Sequence, residues 1–224
     1  MKLYYSPLSV YSAKPRIAMY EKAIAHETRL VNWTPATGWI KPDELPRLNP
    51  KAQIPVIVDD QAAIYDSTII LEYLEERFPK PPLFPAGFAE RARCRILEDL
   101  GDTLLAPNLG VLVREVFLKP DPSTRDLAAV TQVKAELTRQ YQRLDRELSK
   151  RGYLCGEFSV ADISCFSPMN IASLMEGAPS PEFNNLANWL SRMKKRESVA
   201  RYLAEFAEAT APLRAATPAA SAHA

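Results

Sequence analysis

Cysteine is scarce in this chain of 224 residues, and histidine is scarcer. Cys94, Cys155 and Cys165 form no CxxC pair, and His26 and His223 lie far apart, so the sequence holds no cluster with metal-ligand spacing. A sparse, odd cysteine count also excludes a disulfide framework and fits a reducing, cytoplasmic setting. All three thiols read as buried and inert. An excess of one charge is missing too. Lys and Arg number 28 against 27 Asp and Glu, a formal net charge of +1. That leaves no electrostatic footprint for nucleic acid or an anionic membrane. No apolar run approaches the roughly 20 residues of a membrane span. The opening "MKLYYSPLSV" has one lysine and an early proline, and does not read as a signal peptide. No internal repeat is visible.

What is present is a globular composition: 47% hydrophobic and 25% charged residues, in a chain long enough for one large domain or two small ones. Residues 1–79 alternate strand and helix signals. "KLYY" (2–5) is a short apolar strand, and "SAKPRIAMYEKAI" (12–24) carries Ile17, Tyr20 and Ile24 at helical spacing. "HETRLVNW" (26–33) reads as a second strand, and residues 34–48 as loop and short helix. "PVIV" (55–58) and "AAIY" (62–65) flank "DDQ" as a hairpin, and "STIILEYLEERF" (67–78) is a helix stopped by Pro79. This order predicts a βαβ unit followed by a hairpin and a covering helix.

Pro79, Pro81, Pro82 and Pro85 make residues 80–88 a semi-rigid linker. Beyond it the pattern is helical. Residues 89–117 form a long amphipathic segment with a bend expected near Gly101 or Pro107. Residues 125–152 form another, with Gly152 as its C-cap, and 159–175 and 183–209 follow. The expected organisation is an α/β domain over 1–79, an all-helical domain over 89–212, and a disordered tail over 213–224.

Three short stretches carry chemistry. Pro55 opens a strand but cannot donate a ladder hydrogen bond, so a cis peptide in a tight turn would accommodate it. Such a bend frees the N–H and C=O of Ile54 for an extended peptide ligand, whereas an ordinary trans proline at a strand edge would not. In "YDST", Asp66 or Ser67 can simply cap the next helix. The same geometry offers free N–H groups to a carboxylate and an acidic side chain to an ammonium, as an α-amino acid head requires. In "YSPLSVYSAKPR", Pro15 would clash with the carbonyl of residue 11 in a longer helix, which predicts a helix start near Tyr11 or Ser12. Ser12 is then either a plain cap or a hydroxyl aimed at a thiolate. Lowering a free thiol pKa by about two units takes roughly 2.7 kcal/mol. A hydrogen bond to a charged group contributes about 1.5–3 kcal/mol, and a helix terminus about 0.3–1 kcal/mol. One serine suffices in magnitude.

"NPKAQIPVIVDD" followed by "AIYDSTIILEYLEERFP" resembles the N-terminal domain of cytosolic glutathione transferases, and "FSVADI" resembles the capping box of their helical domain, with Ser159, Asp162 and a Phe158–Ile163 staple. The resemblance covers most of the chain and is nearest to bacterial, serine-type, theta-like members. "YSAKPRIAMYEK" is faintly similar to β-etherase members. The resemblance implies a thioredoxin-like domain followed by a helical bundle, with a cis-Pro55 and with Ile54 pairing through its backbone to the cysteinyl part of glutathione. It implies Asp66 and Ser67 at the γ-glutamyl end and Gln53 and Lys41 at the glycyl carboxylate, Lys41 being equally readable as a solvated lysine.

For the catalytic hydroxyl, Ser12 matches the serine position by its distance to "KPRIAMYEK", with Ser9 as runner-up. Tyr11 stands where some bacterial members carry cysteine, and Tyr5 resembles the strand tyrosine of other classes. No cysteine precedes residue 94, which argues against thiol-transferring branches. A second-substrate pocket is expected between Pro7–Tyr11 and the 89–117 helix, with Asn108, Val111, Leu112 and Glu115 as lining or as ordinary packing. The implied activity is transfer of an alkyl or aryl group from a small hydrophobic electrophile to the glutathione sulfur, glutathione serving as co-substrate and no metal taking part. Alternatives are a non-catalytic interaction module, or a glutathione-dependent lyase, dehalogenase or isomerase on the same fold. A cytoplasmic homodimer joined across the 67–78 helix is implied, with neither nucleic acid nor membrane as partner.

Overall fold

A computed structural model describes residues 1–60 and 62–216. The first segment builds a mixed four-stranded sheet. Strand β1 (Lys2–Tyr5) crosses over through helix α1 (Val10–Glu21) to the parallel strand β2 (Glu27–Leu30), in the register Lys2↔Glu27 to Tyr5↔Leu30. Strand β5 (Val56–Asp59) pairs antiparallel with β1 on its other edge, and β6 (Ala62–Tyr65) completes the order β2-β1-β5-β6. Gln61, of the expected "DDQ" hairpin, lies outside the described residues. Helix α3 (Ser67–Arg77) packs with α1 on the sheet. This is the predicted thioredoxin-like arrangement.

Three details differ from the sequence reading. Helix α1 begins at Val10 and not at residue 11 or 12, with Pro15 inside it. Ser9 caps it, its Oγ accepting from the Ser12 N–H at 3.2 Å, and Pro15 falls in the second turn, where its missing N–H leaves one i→i−4 bond unmade. The expected strand 26–33 is two strands, β2 and β3 (Asn32–Thr34). The stretch 34–48 has the expected short helix, α2 (Leu45–Leu48), but also β4 (Gly38–Ile40), paired antiparallel with β3 so that Trp33 faces Trp39. Gly38 sits at φ 65° in that turn, the conformation its "TPATG" sequence supplies.

The rest is helical: α4 (Phe88–Leu100), α5 (Ala106–Leu112), α6 (Leu127–Glu147), α7 (Val160–Ala172), α8 (Asn184–Lys195) and α9 (Glu197–Ala216). The expected bend near Gly101 is a wide π-helical turn over Gly101–Leu105, and a second spans Val113–Phe117. A Cβ at Gly101 would stand 2.4 Å from Ser164 Oγ and 2.7 Å from the Ser164 carbonyl, so glycine there lets α4 and α7 approach backbone to backbone. Helix α6 stops at Glu147, and Gly152 is not its cap: Leu148 closes it within the α-helical region and the chain turns before reaching the glycine. The stretch 183–209 divides at Arg196, whose extended backbone separates α8 from α9. Residues 213–216 of the expected tail continue α9, while 217–224 lie outside the described residues.

Helix α7 is the hub. Its capping box is formed as the sequence suggested, with Ser159 N–H donating to Asp162 Oδ2 at 3.0 Å. Asp162 also accepts from the Leu154 N–H and from Trp189 Nε1 at 2.9 and 2.8 Å. One apolar cluster runs from Leu3, Ile17 and Leu74 through Leu97 and Phe166 to Trp189 and Phe206, so sheet and helices share a core. Among the described residues no helix is long and apolar enough to cross a membrane.

Candidate functional site

A cleft of about 720 Å³ lies where the sheet domain meets the helices. One wall comes from the turn before β5. The Ile54–Pro55 peptide is cis, and Asn49 braces the turn by donating from Nδ2 to the Gln53 carbonyl at 2.8 Å. Among the described residues no hydrogen bond occupies the N–H or C=O of Ile54. Gln53, Ile54 and Pro55 all line the cleft.

The second wall is the start of α3. Asp66 sits at φ 74°, a backbone that Asp and Asn tolerate better than most residues. Its Oδ1 accepts from the Thr68 N–H at 3.0 Å, and both Asp66 and Ser67 face the cleft. Directly behind them Lys14 reaches from α1, its ammonium fully enclosed. It bonds Glu98, Asp102 (2.5 Å) and Thr68 Oγ1 (3.0 Å). Thr68 in turn donates to Glu98 at 2.6 Å, and Ser164 donates to the Glu98 carbonyl at 2.8 Å. This buried cluster ties the first turn of α3 to α1, α4 and α7. One lysine faces two carboxylates there, a balance held by hydrogen bonds as much as by charge.

The third wall is the start of α1. Ser9 and Tyr11 line the cleft; Ser12 does not. Ser12 is fully buried, its Oγ accepting from the Ser6 N–H at 3.4 Å beneath the loop. Of the two serines considered, the structure therefore brings only Ser9 to the cleft. Burial and the nearby Asp102 carboxylate raise the Tyr11 phenol above its ordinary value, so at neutral pH it is a hydrogen-bond donor and not a base. Tyr5 points elsewhere, its ring stacked under the Arg16 guanidinium at 3.8 Å.

Lys41 lines the cleft, as does Lys51, which the sequence reading missed. So do Trp33 and Trp39, presented together by the β3–β4 hairpin with ring centroids 6.4 Å apart. The signal for both was a tryptophan on either side of a Gly-containing turn.

On the helical side the expected lining is displaced. Asn108, Val111, Leu112 and Glu115 do not face the cleft; Ala106, Leu109, Gly110, Val113 and Phe117 do. A face counted at 3.6 residues per turn slips by one residue, roughly 100°, after a π-helical turn such as that at Gly101–Leu105. Leu112 is packed in the core, Asn108 donates to the Leu104 carbonyl at 2.7 Å, and buried Glu115 pairs with Lys119 and Arg114. The cleft is closed by Ile171 from α7, by Met175 in the turn after it, and by Phe206 and Thr210 from α9, long-range contributions with no local signal. Among the described residues no group of His, Cys, Asp and Glu could hold a metal ion.

The site thus joins an open peptide backbone at Ile54, a polar helix start at Asp66–Ser67 and a helix-capping serine at Ser9, facing an apolar chamber. Comparisons with known proteins bear on the family and the fold. The family model for the glutathione S-transferase N-terminal domain matches residues 3–82, and that for the C-terminal domain matches residues 107–197. The stringent starvation protein A homolog of Coxiella burnetii is 39% identical over 97 residues, 43% of this chain and 44% of that protein. The chain therefore spans less than half the length of the first curated relatives it matches. The maleylacetoacetate isomerase of Dictyostelium discoideum is 32% identical over 160 residues, 70% of each chain. A glutathione S-transferase from Methylobacillus flagellatus, solved with GSH bound, superimposes with a TM-score of 0.75 at 29% identity, covering 90% of this chain and 98% of that one. With both domain models matched in order, and the fold and the cleft between its halves in place, this chain belongs to the glutathione S-transferase family.

Proposed function

We propose that the chain binds glutathione in this cleft and holds its sulfur as a thiolate for attack on an apolar electrophile. The observation that carries this reading is the convergence of Ile54, Asp66–Ser67 and Ser9 on one cleft from three separate elements. The Ile54 backbone would pair with the cysteinyl residue as an added strand does. Asp66 would take the γ-glutamyl ammonium, and the N–H groups at the start of α3 its carboxylate. Gln53 and Lys41, with Lys51, which all line the cleft, would take the glycyl carboxylate. Ser9, and not Ser12, would donate its hydroxyl proton to the thiolate; as a cap its oxygen already accepts, which leaves the O–H free to turn toward sulfur. Tyr11, Leu109, Val113, Phe117 and Phe206 would receive the electrophile, whose alkyl or aryl group is transferred to sulfur. Binding supplies positioning, and the lowered thiol pKa supplies the nucleophile.

The protein would work as a cytoplasmic homodimer. Tyr65, Ile69, Phe88 and Ile96 are all exposed on or beside α3 and α4, apolar surface that a second copy would cover. The test of the main reading is the ultraviolet absorbance of glutathione titrated with the protein across pH. A thiolate band well below the free pKa supports it; binding without such a band leaves an interaction module. That second reading is favoured by the likeness to the stringent starvation protein A homolog, whose name specifies no reaction. A third, isomerisation, draws on the relative named maleylacetoacetate isomerase, and product analysis with a cis-enedione substrate separates it.

A further inference from the structure

Two glycines stand inside the helical run from α4 to the second π-helical turn, Gly101 and Gly110. Packing explains Gly101, since a Cβ there would collide with Ser164. It does not explain Gly110. The Gly110 backbone is α-helical with no positive φ to accommodate, and a Cβ built on it would meet nothing within 4 Å. Glycine weakens a helix interior relative to alanine, so this position gives up stability with no gain in packing. Gly110 is exposed, and the space it faces is the cleft. Ala106 lies one turn before it on the same wall, and Val113 and Phe117 follow it. That wall is therefore recessed at Ala106 and Gly110 and ends in a large ring at Phe117.

We propose that Gly110 is the specificity-determining residue of the chamber, and that its missing side chain leaves a flat floor for an uncharged electrophile built on fused aromatic rings. This rests on the glutathione-transfer reading above and names the substrate class of that same site. A ring can lie directly on a glycine backbone, where any Cβ would hold it off. Three aromatic side chains from separate elements line the same space: Tyr11 from α1, Phe117 from the second π-helical turn and Phe206 from α9. Such walls favour offset and edge contacts with a ring system. Ionic substituents fit poorly. Among the described residues the helical wall brings one polar side chain, Thr210, whose hydroxyl already donates to the Phe206 carbonyl at 2.9 Å. An ionic group would lose its water there and meet no opposite charge. The charged groups on the sheet side, Lys41, Lys51 and Asp66, are those assigned to glutathione. With a chloromethyl arene the thiolate attacks the benzylic carbon, a C–S bond forms, and the C–Cl bond breaks. Chloride leaves with the bonding pair, the thiol proton having gone to solvent.

The experiment compares the full wild-type chain with Gly110→Ala and Gly110→Leu. Anthracene is first titrated by fluorescence without glutathione. Initial rates with glutathione are then measured for chloromethylanthracene and benzyl chloride, which present the same kind of carbon on a fused and on a single ring. The wild-type chain should bind anthracene, and Gly110→Leu should bind it at least about tenfold more weakly, as a misfit in an apolar pocket costs, with Gly110→Ala between them. The ratio of kcat/KM for chloromethylanthracene over benzyl chloride should fall in the same order. Gly110→Ala should melt roughly 2–4 °C higher than wild type, because helix propensity is regained without a clash. Three results would overturn the proposal: no anthracene binding by wild type, equal binding by Gly110→Leu, or a lower melting temperature for Gly110→Ala, which would make the glycine structural. If anthracene binding depends on Gly110 but neither chloride is conjugated, the transfer reading fails and the preference of the chamber for fused rings stands.

Discussion

Replacing Asp66 with asparagine separates its two roles, cap and ligand. As a cap, Asp66 accepts from the Thr68 N–H at 3.0 Å and holds a backbone φ of 74°. Asparagine caps about as well as aspartate and tolerates positive φ as readily, so folding stability should change by no more than about 0.5 kcal/mol. Alanine loses the cap, at about 0.5–2 kcal/mol, and fits the backbone less well. As a ligand, Asp66 is exposed at the rim, so its bond to the glutathione ammonium falls near the lower end of the roughly 1.5–3 kcal/mol of charged hydrogen bonds. At 1.4 kcal/mol per decade, Asp66→Asn should weaken glutathione about tenfold, and less so at high salt. Tryptophan fluorescence reads binding directly, since Trp33 and Trp39 line the same cleft, and urea unfolding reads stability. Unchanged affinity in a variant of unchanged stability would refute the assignment and reduce Asp66 to a helix cap.

Ser9→Ala should raise the thiol pKa of bound glutathione by about one to two units, at 1.36 kcal/mol per unit, while Ser12→Ala leaves it where it is; the thiolate absorbance profile distinguishes them. Lys14→Met leaves Glu98 and Asp102 without their cation, and should destabilise by about 3–5 kcal/mol in urea. A loss under about 1 kcal/mol would mean the cluster behaves like a surface pair. The Asp126 backbone N–H, and after it Lys119 and Arg114, hold the Glu115 carboxyl down at about 2. The unfolded chain then binds this proton first as pH drops, so the stability it contributes is complete above the ordinary carboxylate value of 4.5 and is lost on the way down to about 2. Glu115→Gln should flatten that acid limb in thermal melts monitored by circular dichroism.

The sequence by itself determined the parts of this protein that local chemistry controls. Alternating short apolar runs gave the order of the sheet domain. The polar pair before α3 and the Ser159–Asp162 box each cap a helix as their local sequence predicts. Tertiary structure decided which side chains meet. Ser9 and Ser12 lie three residues apart near the same helix start, and sequence spacing favoured Ser12. Capping geometry turns Ser9 to the cleft and buries Ser12, and Pro15, taken as a barrier, sits inside the helix. The chamber lining shifted because the π-helical turns add residues that 3.6-residue counting omits. Phe206 and Ile171 reach the cleft only because α7 and α9 share one core with the sheet. Caps and turns are short-range, since their partners lie within a few residues. A cleft is long-range, since its walls come from segments whose separation in sequence says nothing of their distance in space.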